Sequence, residues 1–198
     1  AGREPNAAGA AREVDLTPFY QLHRRTYATY WDLFTPEEWE ARRAAYAAEA
    51  ERQRLLEAAT VAWIQPGETV FEREFGYQGS DGVTAARIEG RPGRRGRGWF
   101  SLDVPADPER SLTLVLTYFS DDRRAMPAAF DVLLDGELLG TQEVVRSAPR
   151  RFYDVQIPVP AELTRGKERV TLRFESREGG QIATIFGVRL VRADAARG

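Results

Sequence analysis

The 198-residue chain contains no cysteine, one histidine (His23), one lysine (Lys167) and no hydrophobic run near the ~20 residues of a membrane helix. Without cysteine there are no disulfides, thiolate metal ligands or thiol nucleophiles. A lone histidine leaves too few imidazoles for a His-based metal or catalytic centre. It stands among aromatics in Phe19-Tyr20-Gln21-Leu22-His23 and reads as a hydrogen-bonded packing residue. There is no basic excess either: 28 Lys and Arg against 30 Asp and Glu give a net charge of −2. A constitutive nucleic-acid binder needs the opposite balance, so neither nucleic acid nor membrane is expected as a partner. No G-x-S-x-G elbow is present, and Gly76, Gly79 and Gly82 lack the following helix of a phosphate loop.

The chain has instead the composition of a folding sequence, 42% hydrophobic and 11% aromatic. Arginine carries nearly all the positive charge, which fits the coding bias of a GC-rich bacterial genome. The first residue is Ala1, and no signal-peptide core follows it, so a processed or excised fragment is expected; cytosol and export both stay open.

Residues 1–13 are small, polar and glycine-punctuated, a linker. Residues 14–34 are dense in aromatics, with a strand expected around Thr26–Trp31. Thr35-Pro36-Glu37-Glu38 predicts a helix start: Thr35 caps, Pro36 takes the first helical position and Glu38 closes a capping box. The Ala/Glu/Arg-rich run to about Ala59 continues the helix with a patchy apolar face, and Pro66-Gly67 ends a helical connector over residues 35–66. Beyond Gly67 the texture turns to short strand-like runs: Thr69–Phe75, Ala85–Glu89, Trp99–Val104, Leu112–Phe119, Phe130–Leu134, Thr141–Val145, Phe152–Val159, Val170–Glu175 and Ile182–Val191. Asp135-Gly136 signals a type I′ hairpin. Such runs at such spacing predict a mainly β fold, an antiparallel β-sandwich of jelly-roll type, over residues 67–192, with residues 193–198 frayed. Arg91-Pro92-Gly93-Arg94-Arg95-Gly96-Arg97-Gly98 reads as a solvated loop between strands.

Adjacent carboxylates such as Asp121-Asp122 do not make a facing acid/base pair on a strand, so catalysis within the chain is not expected. The remaining functional chemistry is sugar binding. Flat aromatic faces cover C–H-rich sugar faces while polar side chains reach the hydroxyls. The candidates are Trp99, Tyr118 and Tyr153, with Asp121 as a polar partner and Tyr77 beside the strands; the alternative for each aromatic is a place in the sandwich core.

Taken in order, several motifs resemble the β-L-arabinofuranosidase family of bacterial glycoside hydrolases (family 127 and relatives, DUF1680). Pro18–His23, Tyr27 and Tyr30-Trp31 resemble the end of that family's catalytic unit. Gly98-Trp99-Phe100-Ser101, Leu116-Thr117-Tyr118-Phe119, Phe130–Gly136, Thr141-Gln142, Phe152-Tyr153-Asp154-Val155, Ile157-Pro158 and Leu163–Lys167 resemble the β-sandwich that follows it. Arg24 and Thr26 depart from the family's acidic and basic residues in the first motif. The resemblance implies a non-catalytic C-terminal accessory domain, its sandwich carbohydrate-binding-module-like in fold, that supports an upstream α/α-barrel, with 14–34 as residual tail of that barrel. In the family a zinc site built from cysteines and a glutamate belongs to the barrel, so no cofactor is expected in this chain. The alternative is a carbohydrate-binding module for arabinose-containing plant-type glycans. A third reading is a protein-interaction domain, and the isolated chain is expected to self-associate through the aromatics of residues 14–34.

Overall fold

In the computed structural model, residues 34–193 are described. The chain divides between Ala44 and Ala45 into two compact units. Expectations for His23 and the rest of residues 1–33 lie outside the described residues.

Helix α1 (Pro36–Ala59) runs through that division. In the first unit the capping box is formed: the Thr35 amide donates to Glu38 Oε2 at 2.7 Å and the Glu38 amide to Thr35 Oγ1 at 3.2 Å. Phe34 stacks on Trp39, and Arg42 lies 4.7 Å over the Phe34 ring. In the second unit, Glu49–Arg52 and Glu51–Arg54 ion pairs and a Gln53–Glu57 hydrogen bond run along the exposed surface. Only Ala59 of the whole helix is buried. Local propensity and i,i+3 or i,i+4 pairs therefore hold it, more than any apolar stripe.

The rest of the second unit is β-rich. β1 (Thr60–Ile64), β12 (Gly187–Arg192), β6 (Leu112–Phe119) and β9 (Phe152–Val159) form a four-stranded sheet in that order. β2 (Gln78–Gly79), β5 (Trp99–Pro105), β10 (Arg169–Ser176), β7 (Ala128–Leu134) and β8 (Glu137–Val144) form a five-stranded sheet. A smaller sheet consists of β11 (Ile182–Ile185), β4 (Arg91–Gly96) and β3 (Val83–Ile88). Every pairing among them is antiparallel.

The alternation of the sequence decides which face each side chain takes. Leu112, Leu114, Leu116 and Tyr118 of β6 point inward with Ile157 and Val159 of β9 and Val188 and Leu190 of β12. Opposite them stand Phe100, Leu102 and Val104 of β5, Val170, Leu172 and Phe174 of β10, and Phe130, Val132 and Leu134 of β7. Phe100 and Phe174 face each other in register and stack with centroids 4.7 Å apart. This is the antiparallel β-sandwich anticipated from the strand runs. The β7–β8 hairpin turns at Asp135 and Gly136, whose φ values of 49° and 88° fit a type I′ turn. The Asp135 carboxylate also accepts the Thr171 amide at 2.7 Å and Lys167 Nζ at 2.8 Å, tying the turn to β10.

Three local expectations need correction. The expected strand Thr69–Phe75 is mostly a short helix, α2 (Thr69–Glu74). Six residues are too few for periodicity to separate helix from strand, and tertiary contacts decide. Glu72 accepts the Gly67 amide at 2.7 Å and takes both Arg94 Nε and Nη2, at 2.6 and 2.7 Å. Secondly, the basic stretch at Arg91 is strand β4. A second turn at Glu89 and Gly90, with φ of 48° and 78°, folds it back on β3. At Gly93 a Cβ would stand 2.7 Å from the Ile185 carbonyl oxygen, so glycine there lets β11 approach closely. Finally, the sandwich begins at β1, inside the segment expected to be purely connector. A further short helix, α3 (Ala161–Thr164), follows β9.

Candidate functional site

Registered pairing brings one row of side chains across the outer face of the four-stranded sheet: Trp63 beside Arg189, Arg189 beside Val115, and Val115 beside Gln156. The next outward row is Gly187, Thr117 and Asp154. The last turns of α1, at Gln53, Leu55 and Leu56, wall a groove of about 500 Å³ over these rows. That volume suits a small saccharide segment.

Each polar group in the groove has a defined setting. Thr117 Oγ1 donates to Asp154 Oδ1 at 2.6 Å. Arg91 reaches in from β4, donates through Nε to the Phe186 carbonyl at 3.1 Å and lies 5.2 Å over the Phe152 ring. Burial pulls the Arg91 guanidinium below its ordinary pKa, Asp154 opposes this and Arg189 adds to it. A guanidinium starts so high that it stays charged at neutral pH. Arg189 Nη1 donates to Thr60 Oγ1 at 3.3 Å. Trp63, 39% exposed, packs edge-on against Phe71 of α2 with centroids 5.1 Å apart. The Glu72–Arg94 pair in turn fixes α2. Burial raises the Glu72 carboxyl, but hydrogen bonds from Arg94 and the Gly67 amide outweigh it and hold the group below the usual carboxylate range.

Gly187 shapes the floor. A Cβ there would stand 2.8 Å from Arg91 Nη2 and 2.9 Å from Thr117 Oγ1. The missing side chain is what lets these two donors come together. The groove thus offers an aromatic surface, the guanidinium groups of Arg91 and Arg189, the amides of Gln53 and Gln156, the Thr117 hydroxyl and the Asp154 carboxylate, with the Glu49–Arg52 ion pair on its helix wall, which is the chemistry that grips polyhydroxylated ligands.

The residues singled out from sequence go elsewhere. Tyr118 is fully buried against Phe130 and Tyr153, so it is a core residue and cannot present its ring to a sugar. Its hydroxyl has no hydrogen-bond partner among the described residues, and burial raises its pKa well above the usual phenol range. Tyr153 pairs with Tyr118 across β6 and β9 and packs half-buried against the core. Trp99 is half-buried on the outer face of the five-stranded sheet, where the Arg173 guanidinium covers its ring at 4.0 Å. Tyr77 is half-buried with Arg94 at 4.6 Å over its ring. Asp121 lies in the loop after β6 among arginines, and the Arg146 hydrogen bond holds its carboxyl below the usual range. None of the five lines the groove. Trp63 and its neighbours were missed because Thr60-Val61-Ala62-Trp63-Ile64, a β-branched and aromatic run, was absorbed into the helical connector; its composition was the available signal.

Fold and groove define an antiparallel β-sandwich with an aromatic-bearing groove on one outer sheet face. The chain belongs to a family described as "Family of unknown function (DUF6805)", whose model matches residues 55–191. That span begins at the helix wall of the groove and carries Trp63, Asp154 and Arg189. Comparison with curated proteins gives no match. Among solved structures, the chain is similar to a family 35 carbohydrate-binding module from Clostridium thermocellum, with TM-score 0.48, 9% identity, and 67% of this chain and 99% of that one covered. It is also similar to the CBM36-1 domain of a multidomain xylanase from the hindgut metagenome of Trinervitermes trinervoides, with TM-score 0.42, 16% identity and coverage of 67% and 97%. The ANX1 ectodomain of Arabidopsis thaliana aligns with TM-score 0.47, 10% identity and coverage of 66% and 40%.

Proposed function

We propose that the sandwich is a carbohydrate-binding module that holds a saccharide segment in the sheet-face groove without cleaving it. The observation that carries this reading is Trp63, half-exposed in one groove with Asp154, Gln156, Arg189 and Arg91. Trp63 supplies the flat apolar surface for a sugar face, and the polar groups reach hydroxyls from both sides. Phe71 braces the indole from below, so little side-chain freedom is lost on binding.

Calorimetric titration with arabinan-, xylan-, β-glucan- and polygalacturonate-derived oligosaccharides tests it. At least one series is expected to bind. Trp63→Ala is expected to weaken that binding at least tenfold, about the effect of truncating an anchor residue. Absence of binding across the panel, or a Trp63→Ala variant that binds as tightly as the parent chain, sinks the proposal.

A second reading, an accessory domain supporting a β-L-arabinofuranosidase-like catalytic unit, is favoured by where the resembling motifs fall. Gly98–Ser101, Leu116–Phe119, Phe130–Gly136 and Phe152–Val155 occupy β5, β6, β7 with its turn, and β9. The same titration separates the two, since a purely supporting domain takes up no glycan.

A further inference from the structure

A second cavity, of about 720 Å³, lies between the β3–β4 hairpin and the loop after β6. It is lined by Arg87, Arg95, Arg123, Arg124 and Arg150 together with Asp121 and Asp122. The two carboxylates are differently committed. Asp122 is buried, accepts Thr184 Oγ1 and the Arg124 amide, and has Arg95 Nη1 at 3.4 Å. Asp121 is gripped by Arg146 at 2.7 Å through Oδ1, whereas its Oδ2 has only Arg150 at 3.5 Å and Arg123 at 3.7 Å. The Arg124 guanidinium pairs with none of the described residues.

Arg123 is therefore held loosely and can turn to a ligand without giving up a short hydrogen bond, whereas Arg150 also donates to Glu89 Oε1 at 3.1 Å through Nη2 and keeps its Nε turned toward Asp121. With Arg146 included, and with Glu89 on Arg150 and Glu68 on Arg87, six guanidinium groups face four carboxylates. This corner is positive in a chain whose net charge is −2.

We propose that the cavity is a subsite for the carboxylate of a uronic acid residue in an acidic glycan; the inference rests on the glycan-binding reading and adds the class of sugar. Three features favour that ligand. The volume is far larger than a bare ion needs and matches a sugar ring with its substituents. A guanidinium fork matches the carboxylate in geometry and charge. Asp121 and Asp122, inside the same cavity, repel a dianion such as phosphate, while an oxygen of Asp121 can accept a hydroxyl proton from the sugar.

The test is a titration of the full chain followed by backbone amide and tryptophan indole NMR signals. The probes are an oligogalacturonide, a neutral galacto-oligosaccharide of equal length, and inorganic sulfate. The oligogalacturonide is expected to shift the amides of residues 121–125 and 95. Its affinity should fall about tenfold in an Arg123→Ala/Arg150→Ala variant, and again when salt is raised from about 50 to 500 mM. The two side chains are 75% and 64% exposed, so the variant keeps the fold, which a thermal melt verifies. Uronide that leaves these amides unmoved overturns the proposal, as does neutral sugar or sulfate that moves them at equal concentration. The indole of Trp63 reports on the groove separately. A probe that moves Trp63 alone overturns the cavity subsite and keeps the groove; one that moves only the cavity does the reverse.

Discussion

The two faces of the four-stranded sheet are built from alternate residues of the same strands, yet they obey different physics. Inward, Leu114, Leu116, Tyr118 and Ile157 are sealed against the opposing sheet. Outward, Thr117, Asp154, Gln156 and Arg189 share a groove with Trp63. Thr117 is the neighbour of Tyr118, and Asp154 the neighbour of Tyr153; one step along the chain separates a core residue from a groove residue. The inner face tolerates only shape-matched apolar groups, whereas the outer face is free to specialise so long as its residues leave the pleat intact.

The largest effect that sharpens this contrast is an alanine substitution on the inner face. Leu116→Ala is expected to cost about 2–5 kcal/mol of unfolding free energy through lost burial and a residual cavity. Thr117→Ala, the next residue, is expected to cost about 1 kcal/mol or less while weakening glycan binding. Urea denaturation of both variants checks the pair, and equal destabilisation would break the contrast between the faces.

Next in size is the brace that positions Trp63. Removing one partner of the Glu72–Arg94 pair by Arg94→Ala is expected to cost about 2 kcal/mol, the scale of hydrogen bonds to charged groups. The pH dependence has a defined sign. The folded-state pKa of Glu72 lies below its unfolded value, so its contribution is fully present above the unfolded pKa of about 4.3 and is lost as pH falls through the folded one. Melting temperatures measured from pH 7 down to pH 3 should fall for the parent chain. A Glu72→Gln variant should start lower and fall less; a curve for it parallel to the parent's would exclude this role.

The smallest effect probes the Tyr118 hydroxyl, a buried side-chain oxygen without a partner among the described residues. Tyr118→Phe removes a buried hydroxyl without a partner, so stability is expected to stay level or rise slightly. A loss above about 1 kcal/mol would show that the hydroxyl does have a hydrogen-bond partner.

Much of the fold was legible where local chemistry and burial agree. Thr35 and Glu38 announced the helix start, Asp135-Gly136 the hairpin, and the apolar alternation of Leu112–Phe119 and Val170–Glu175 the sandwich strands. Legibility failed where a tertiary contact outweighed composition. Arg91–Gly96 looks like a loop until Glu89-Gly90 turns it back and Gly93 admits β11. Thr69–Glu74 is helical because Arg94, 20 or more residues downstream, seizes Glu72. The site was hardest to read because period two assigns residues to faces without saying which face is inside. Tyr118 and Tyr153 drew notice by type, while the groove chemistry sits one position away on each strand.

Gly187 shows how little needs to change to shut that groove. Its backbone lies outside the left-handed region, so any residue could adopt the conformation; space alone forbids one. A single methyl group would push apart Arg91 and Thr117 from beneath, and strand β12 would have no reason to unpair. The groove can therefore be erased by a mutation that the fold does not register, and a relative with the same sandwich but a larger residue at this position should be expected to have kept the scaffold and lost the groove.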